Sequence, residues 1–126
     1  MRQLIFTLMF VVMLTSANTC AAQDVWVDHW NYENIDIYAM DDTLRDTSSS
    51  EYLSFEVSAK FVKNGQLQQV VNWEFLKYKS KRDMWRYETS TMDGSHTTVV
   101  IPKNGLFEFC MNKLGWSYQI KDNHYY

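Results

Sequence analysis

Positively charged residues gather in the middle of the chain, where they could attract an acidic partner. Only Glu74 and Asp83 oppose them, and the basic set is Lys60, Lys63, Lys77, Lys79, Lys81, Arg82 and Arg86. Lys77, Lys79 and Lys81 have the two-residue spacing that places side chains on one face of a strand. A dense cluster of one charge steers an oppositely charged partner toward it.

Aromatic residues are interleaved with these charges and would add contact area to the segment. Aromatic side chains are enriched at protein interfaces, and here they are Tyr78, Trp85 and Tyr87. The candidate binding residues are Lys77, Lys79, Lys81, Arg82, Trp85 and Arg86. The partners that fit are acidic segments of extracellular or envelope proteins, or sulfated polymers. Two alternatives stay open: the lysines protect a sheet edge from aggregation, or they pair with the acidic N-terminal part of the same chain.

The other reactive side chains do not form a pattern typical of a catalytic or metal site. His29, His96 and His124 are far apart and lack the local pairing of zinc ligands. The carboxylates before residue 52 lack the spacing of a calcium loop. The sequence has no GxSxG elbow and no glycine-rich phosphate loop. We therefore expect no catalytic residue, no metal site and no cofactor.

The first 22 residues have the order of a secretory signal peptide. Arg2 precedes the apolar run Leu4–Leu14, and small residues up to Ala22 follow it. A retained anchor helix fits less well, because a bilayer span needs about 20 apolar residues. Lipidation of Cys20 also fits less well, since Ala-Asn-Thr precedes it. We predict a signal peptide at 1–22 and one domain at 23–126, located in the periplasm, at the cell surface or outside the cell.

Removal of this segment changes the charge and the cysteine content of the chain. Loss of Arg2 takes the net charge from −3 to −4, which argues against general nucleic-acid binding. No second long apolar stretch follows, so no transmembrane segment is expected in the mature chain. Cys110 becomes the remaining cysteine, and its flanks Phe107, Phe109 and Met111 favour a buried thiol.

Alternating polarity predicts an antiparallel meander. The clearest strand is Leu53 to Phe61, and the Asn64-Gly65 pair that follows is typical of a type I′ hairpin. A return strand is expected at 67–78, with further strands at 84–91 and 97–101 and a turn at 92–95. Two short strands are expected on either side of residues 31–34. Residues 41–51 are expected to form a loop, and the polar tail after Ile120 to lack regular structure.

The period changes after Pro102 and indicates one helix. Its apolar face consists of Leu106, Phe107, Cys110, Met111 and Leu114. Asn104 is a suitable N-cap and Gly115 a suitable C-terminal residue. The predicted fold class is therefore α+β: an antiparallel β-meander sheet with one C-terminal helix packed on its apolar face.

Several segments together resemble the surface-adhesin protein E-like family of small exported bacterial proteins. They are VWVDHW (25–30), IDIYAM (35–40), FEVSAKFVK (55–63), NWEFLKYKSKRDMWRYE (72–88) and VIPKNGLFEFCMNKL (100–114). The resemblance implies binding of host extracellular proteins at the cell surface, and the basic segment Lys77 to Arg86 would carry it. This chain departs from the paired cysteines common in that family, because its mature part has only Cys110.

Two functions of different classes follow from these observations. The first is an exported, adhesin-like binding protein of the envelope or surface that uses the basic aromatic hairpin. The second is a small periplasmic ligand carrier or enzyme with a pocket between sheet and helix. A structural protein of the envelope is a third reading.

Overall fold

The computed structural model describes residues 24–80, 82–91 and 98–126. Six strands lie in chain order in one antiparallel sheet: β1 (Asp24–Trp30), β2 (Ile35–Asp46), β3 (Tyr52–Lys63), β4 (Gln66–Tyr78), β5 (Arg86–Thr89) and β6 (Thr98–Val99). Helix α1 (Gly105–Leu114) follows, and a small hairpin of β7 (Ile120–Lys121) and β8 (His124–Tyr125) ends the chain. The predicted meander with a C-terminal helix is confirmed. The predicted signal peptide at 1–22 and the turn at 92–95 lie outside the described residues.

The inner face of the sheet follows from the alternation in β3 and β4. Phe55 lies opposite Phe75, and Val57 lies opposite Trp73. Directly opposite residues of an antiparallel pair point to the same side, so these four side chains share one face, and all are buried. The turn between the strands has positive φ at Asn64 and Gly65, as the Asn-Gly pair predicts.

Helix α1 lies over this inner face. The Asn104 side chain accepts a hydrogen bond from the Phe107 N–H at 3.0 Å, and Gly115 has a left-handed φ of 72°. Both predicted ends are therefore confirmed. Phe107 packs among aromatic rings, with its centroid 5.5 Å from that of Phe75 and 5.4 Å from that of Trp85. None of the described helices is long and apolar enough to cross a membrane.

Strand β2 continues where a loop was predicted. It reaches Asp46, with an irregularity in its pairing to β3 between Met40 and Arg45. The Thr43 hydroxyl donates to the Met40 carbonyl at 2.6 Å and accepts from the Ser58 N–H at 2.8 Å. This side chain replaces the missing ladder bond, so the polar segment stays in the sheet.

The polar tail was also predicted wrongly, because it folds back onto the helix. Gln119 and Tyr126 exchange backbone hydrogen bonds of 2.9 and 2.8 Å. Tyr125 is fully buried, and its hydroxyl donates to Glu108 and accepts from the Asn104 N–H. One buried aromatic side chain therefore orders a segment whose composition is otherwise typical of a loose end.

Candidate functional site

The predicted basic segment, Lys77 to Arg86, runs from the end of β4 to the start of β5, beside the start of β3. Lys79 is the first residue after the strand, and its N–H donates to the Glu51 carbonyl at 2.9 Å. Beside it, Tyr52 and Tyr78 stand opposite each other, with ring centroids 6.3 Å apart at 84°. The turn thus lies next to a pair of tyrosines, of which Tyr78 is 45% exposed.

The two-residue spacing predicted one shared face for Lys77, Lys79 and Lys81, and the two that the structure describes, Lys77 and Lys79, lie in different environments. Lys77 is half-buried within β4, opposite Leu53 on the inner side of the sheet. Lys79 and Arg82 are exposed in the turn after the strand. Lys81 lies outside the described residues. Because β4 ends at Tyr78, two-residue spacing no longer determines which way the side chains after it point.

Trp85 does not belong to a binding surface, which corrects its place among the candidates. The residue is 1% exposed. Its ring packs against those of Phe55 and Phe107, at centroid distances of 5.8 and 5.4 Å. Burial of so large an apolar side chain stabilises the core, and almost none of its surface is left for a partner to contact. The sequence signal for the burial of Trp85 was its two-residue spacing from Tyr87, which lies opposite Phe75 on the inner side of the sheet.

Arg86 is directed partly inward and is already paired. It lies opposite Leu76 in the sheet, and its guanidinium is 3.5 Å from the Asp83 carboxylate. Its Nε is buried and has no hydrogen-bond partner among the described residues. Much of its charge therefore acts within the fold rather than toward a partner.

Pairing between the acidic N-terminal part and the basic centre is confirmed for Lys60. Its Nζ lies 2.7 Å from Asp24. Lys79 is also near a carboxylate: hydrogen bonds from Ser48, with the charge of Lys79 as a smaller cause, lower the pKa of Asp46. In the described part of the chain, however, no carboxylate forms an ion pair with Lys77, Lys79 or Arg82. Lys77, Lys79 and Arg82 therefore retain positive charge that no ion pair among the described residues engages.

A second exposed surface was missed by sequence reasoning. Trp26, Tyr38, Lys60 and Val70 stand opposite one another on four neighbouring strands, on the outer face of the sheet. His29 and Asp36 form the adjacent pair on β1 and β2. We call these six residues the Trp26 surface. The sequence signal was the position of Trp26 between Val25 and Val27, because successive side chains of a strand point to opposite faces.

Hydrogen bonds hold the Trp26 surface in one arrangement. The Trp26 indole N–H donates to Asp36 Oδ1 at 3.0 Å, and His29 Nδ1 lies 2.9 Å from the same oxygen. These contacts, that of Trp26 being the larger cause, lower the pKa of Asp36. The indole is thereby oriented although it is 55% exposed.

The space between sheet and helix is filled by side chains. Phe55, Phe75, Phe107, Cys110 and Met111 are all 1% exposed or less. Across the described ranges, no group of three or more histidine, cysteine, aspartate or glutamate side chains is arranged to hold a metal ion. Comparison with protein-family models, curated proteins and solved structures found no match for this chain.

Proposed function

We propose that this protein is an exported, non-enzymatic binding module, adhesin-like in its use of a basic surface. The surface consists of Lys77, Lys79 and Arg82 together with the tyrosine pair Tyr52 and Tyr78. Its partner is an acidic segment of an extracellular or envelope protein. Export rests on the signal-peptide pattern at residues 1–22.

The observation that carries the proposal is the exposure, beside exposed aromatic area, of cations that have no ion-pair partner among the described residues. Lys79 and Arg82 are exposed in the turn after β4, whereas Lys60 and Arg86 have carboxylate partners within 4 Å. A cation without an internal partner attracts an external anion at longer range. The neighbouring Tyr78 supplies contact area at small cost in side-chain entropy.

The packing of the helix favours this proposal over an enzyme or ligand carrier. A ligand site between sheet and helix needs a concave pocket with converging polar groups. At that interface the ring of Phe107 instead contacts those of Phe55, Phe75 and Trp85 at 5.4–6.1 Å. Hydrophobic side chains thus occupy the volume that a ligand would need.

Charge reversal at the turn tests the proposed function. We would immobilise the protein from residue 23 onward, which contains every described element, and measure its binding of purified extracellular-matrix proteins and a labelled polyglutamate peptide. The Lys79→Glu/Arg82→Glu variant is expected to bind about tenfold more weakly or worse at low salt. Moderate salt is also expected to weaken binding by the unmodified protein.

The matched control is Lys63→Glu/Lys103→Glu, which makes the same change in net charge. Both positions are exposed, and Lys63 lies at the opposite end of β4 from the turn. This control is expected to retain most of the binding. Equal losses in the two variants would mean that net charge alone matters. Binding that changes neither with salt nor in the Lys79→Glu/Arg82→Glu variant would refute the proposed surface.

A further inference from the structure

We propose that the Trp26 surface binds an uncharged polysaccharide chain. It lies on the outer face of β1–β4, and its central row crosses four strands from Trp26 to Val70. With strands about 4.8 Å apart, four of them span roughly 14 Å. The surface is therefore broad enough for several linked sugar rings.

The indole of Trp26 provides the stacking element. It is 55% exposed, yet its N–H bond to Asp36 at 3.0 Å restrains its orientation. An aromatic face is electron-rich, and the C–H groups on one face of a pyranose ring carry small positive charges. A sugar ring therefore fits flat against an oriented indole, and little side-chain freedom is lost on binding.

The polar groups around the indole are paired with one another, which favours a ligand without net charge. Lys60 Nζ lies 2.7 Å from Asp24, and His29 Nδ1 lies 2.9 Å from Asp36. The Lys60 ammonium thus has a carboxylate beside it, and Asp36 is already engaged by Trp26 and His29, so these charges have contacts within the surface rather than with an acidic or basic partner. The same side chains still present donors and acceptors to hydroxyl groups.

The row combines apolar side chains at its ends with polar groups in its middle. Trp26 is followed by Tyr38 with its hydroxyl, then by the ammonium of Lys60, then by Val70, which is 46% exposed. A polysaccharide has the complementary character, because its C–H faces alternate with hydroxyl edges. A purely apolar partner would leave the Lys60–Asp24 pair buried, which is costly.

This site is separate from the basic turn. Lys60 and Tyr52 lie eight residues apart along β3, which corresponds to about 26 Å in a strand. The proposed function and this inference are thus independent, and each is testable while the other fails.

Titration with neutral oligosaccharides tests the inference. The probes are β-1,4-linked hexasaccharides of glucose and of N-acetylglucosamine, because extended linkages suit a flat surface. Calorimetry or NMR titration of the protein from residue 23 onward is expected to show binding of at least one probe. This binding is expected to be insensitive to salt, since neither probe carries charge.

Variants at Trp26 locate the binding. Trp26→Ala is expected to weaken it about tenfold or more, while Trp26→Tyr retains part of it. The matched control Tyr78→Ala removes another half-exposed aromatic residue from the outer face and is expected to have no effect. The Lys79→Glu/Arg82→Glu variant is likewise expected to bind the sugar normally.

Three results would overturn the inference. The first is absence of binding to both hexasaccharides at millimolar concentration. The second is unchanged binding by Trp26→Ala, with thermal unfolding confirming that this variant is folded. The third is sedimentation showing that the Trp26 surface is covered by a second copy, with Trp26→Ala dissociating the dimer and sugars having no effect.

Discussion

At Gly105 the absence of a side chain allows helix α1 to begin directly against β1. The Gly105 N–H donates to Asp28 Oδ2 at 3.0 Å. A Cβ at this position would lie 2.0 Å from the Val27 carbonyl oxygen and 2.9 Å from its carbon. Because both are backbone atoms, no rotamer change can relieve the contact. Asp28 thus holds the helix N-terminus at a distance that only glycine permits.

We expect Gly105→Ala to lower the free energy of unfolding by more than about 2 kcal/mol, since the helix must shift away from β1. The control is Gly115→Ala, where nothing lies within 4 Å but φ is +72°. Its cost is expected to be about 1 kcal/mol, from the left-handed backbone alone. Urea unfolding followed by circular dichroism measures both. Equal losses, or a Gly105→Ala protein as stable as the original, would contradict the close approach.

Among the elements, the β7–β8 hairpin joins the end of the chain to the start of the helix. Tyr125 connects them, because its hydroxyl bonds both Glu108 and the Asn104 N–H. Burial, and then the bond to Glu108, raise the pKa of Tyr125. The backbone N–H of Trp85 also donates to the Tyr125 carbonyl at 3.0 Å. The hairpin is therefore part of the core structure and not an appendage.

Tyr125→Phe is expected to destabilise the protein by about 1–3 kcal/mol, because the partly buried Asn104 N–H loses its acceptor while the ring packing remains. An exposed residue of the same hairpin, Lys121, is the control, and Lys121→Ala is expected to change stability by less than about 0.5 kcal/mol. The urea unfolding midpoints of the two variants measure these two stability changes. A Tyr125→Phe protein that unfolds at the same midpoint as Lys121→Ala would show that the hydroxyl is dispensable.

At the scale of the molecule, one hydrophobic core connects sheet, helix and C-terminal hairpin among the described residues. Phe107 contacts Tyr125 at a centroid distance of 4.4 Å and Phe75 at 5.5 Å. Cys110 lies within this core with no exposed surface, as its neighbours predicted. Burial, with the charge of Asp41 as a smaller cause, raises the pKa of the Cys110 thiol to about 12.

The Cys110 thiol therefore reports on opening of the core. At pH 8 it is protonated as well as covered, so a maleimide reagent is expected to label it at least about a thousandfold more slowly than in urea-unfolded protein. The labelling rate should rise with urea in parallel with global unfolding. Rapid labelling that does not depend on urea would instead indicate that α1 opens on its own.

Local signals in the sequence determined much of this fold. Period-two alternation located β3 and β4, the Asn64-Gly65 pair located their turn, and Asn104 and Gly115 located the ends of α1. Each of these signals acts between residues near in sequence, through backbone sterics or a hydrogen bond within one turn. They are therefore readable without knowledge of the tertiary structure.

Tertiary structure decided which chemically capable side chains reach the surface. Trp85 was predicted at a binding surface but is buried, because Phe55 and Phe107, distant in sequence, pack on it. Trp26 is exposed because β1 lies at the edge and nothing in the described structure covers its outer face. The tail is ordered because Tyr125 meets Asn104, 21 residues away. Such contacts depend on chain packing, which alternation and composition do not encode.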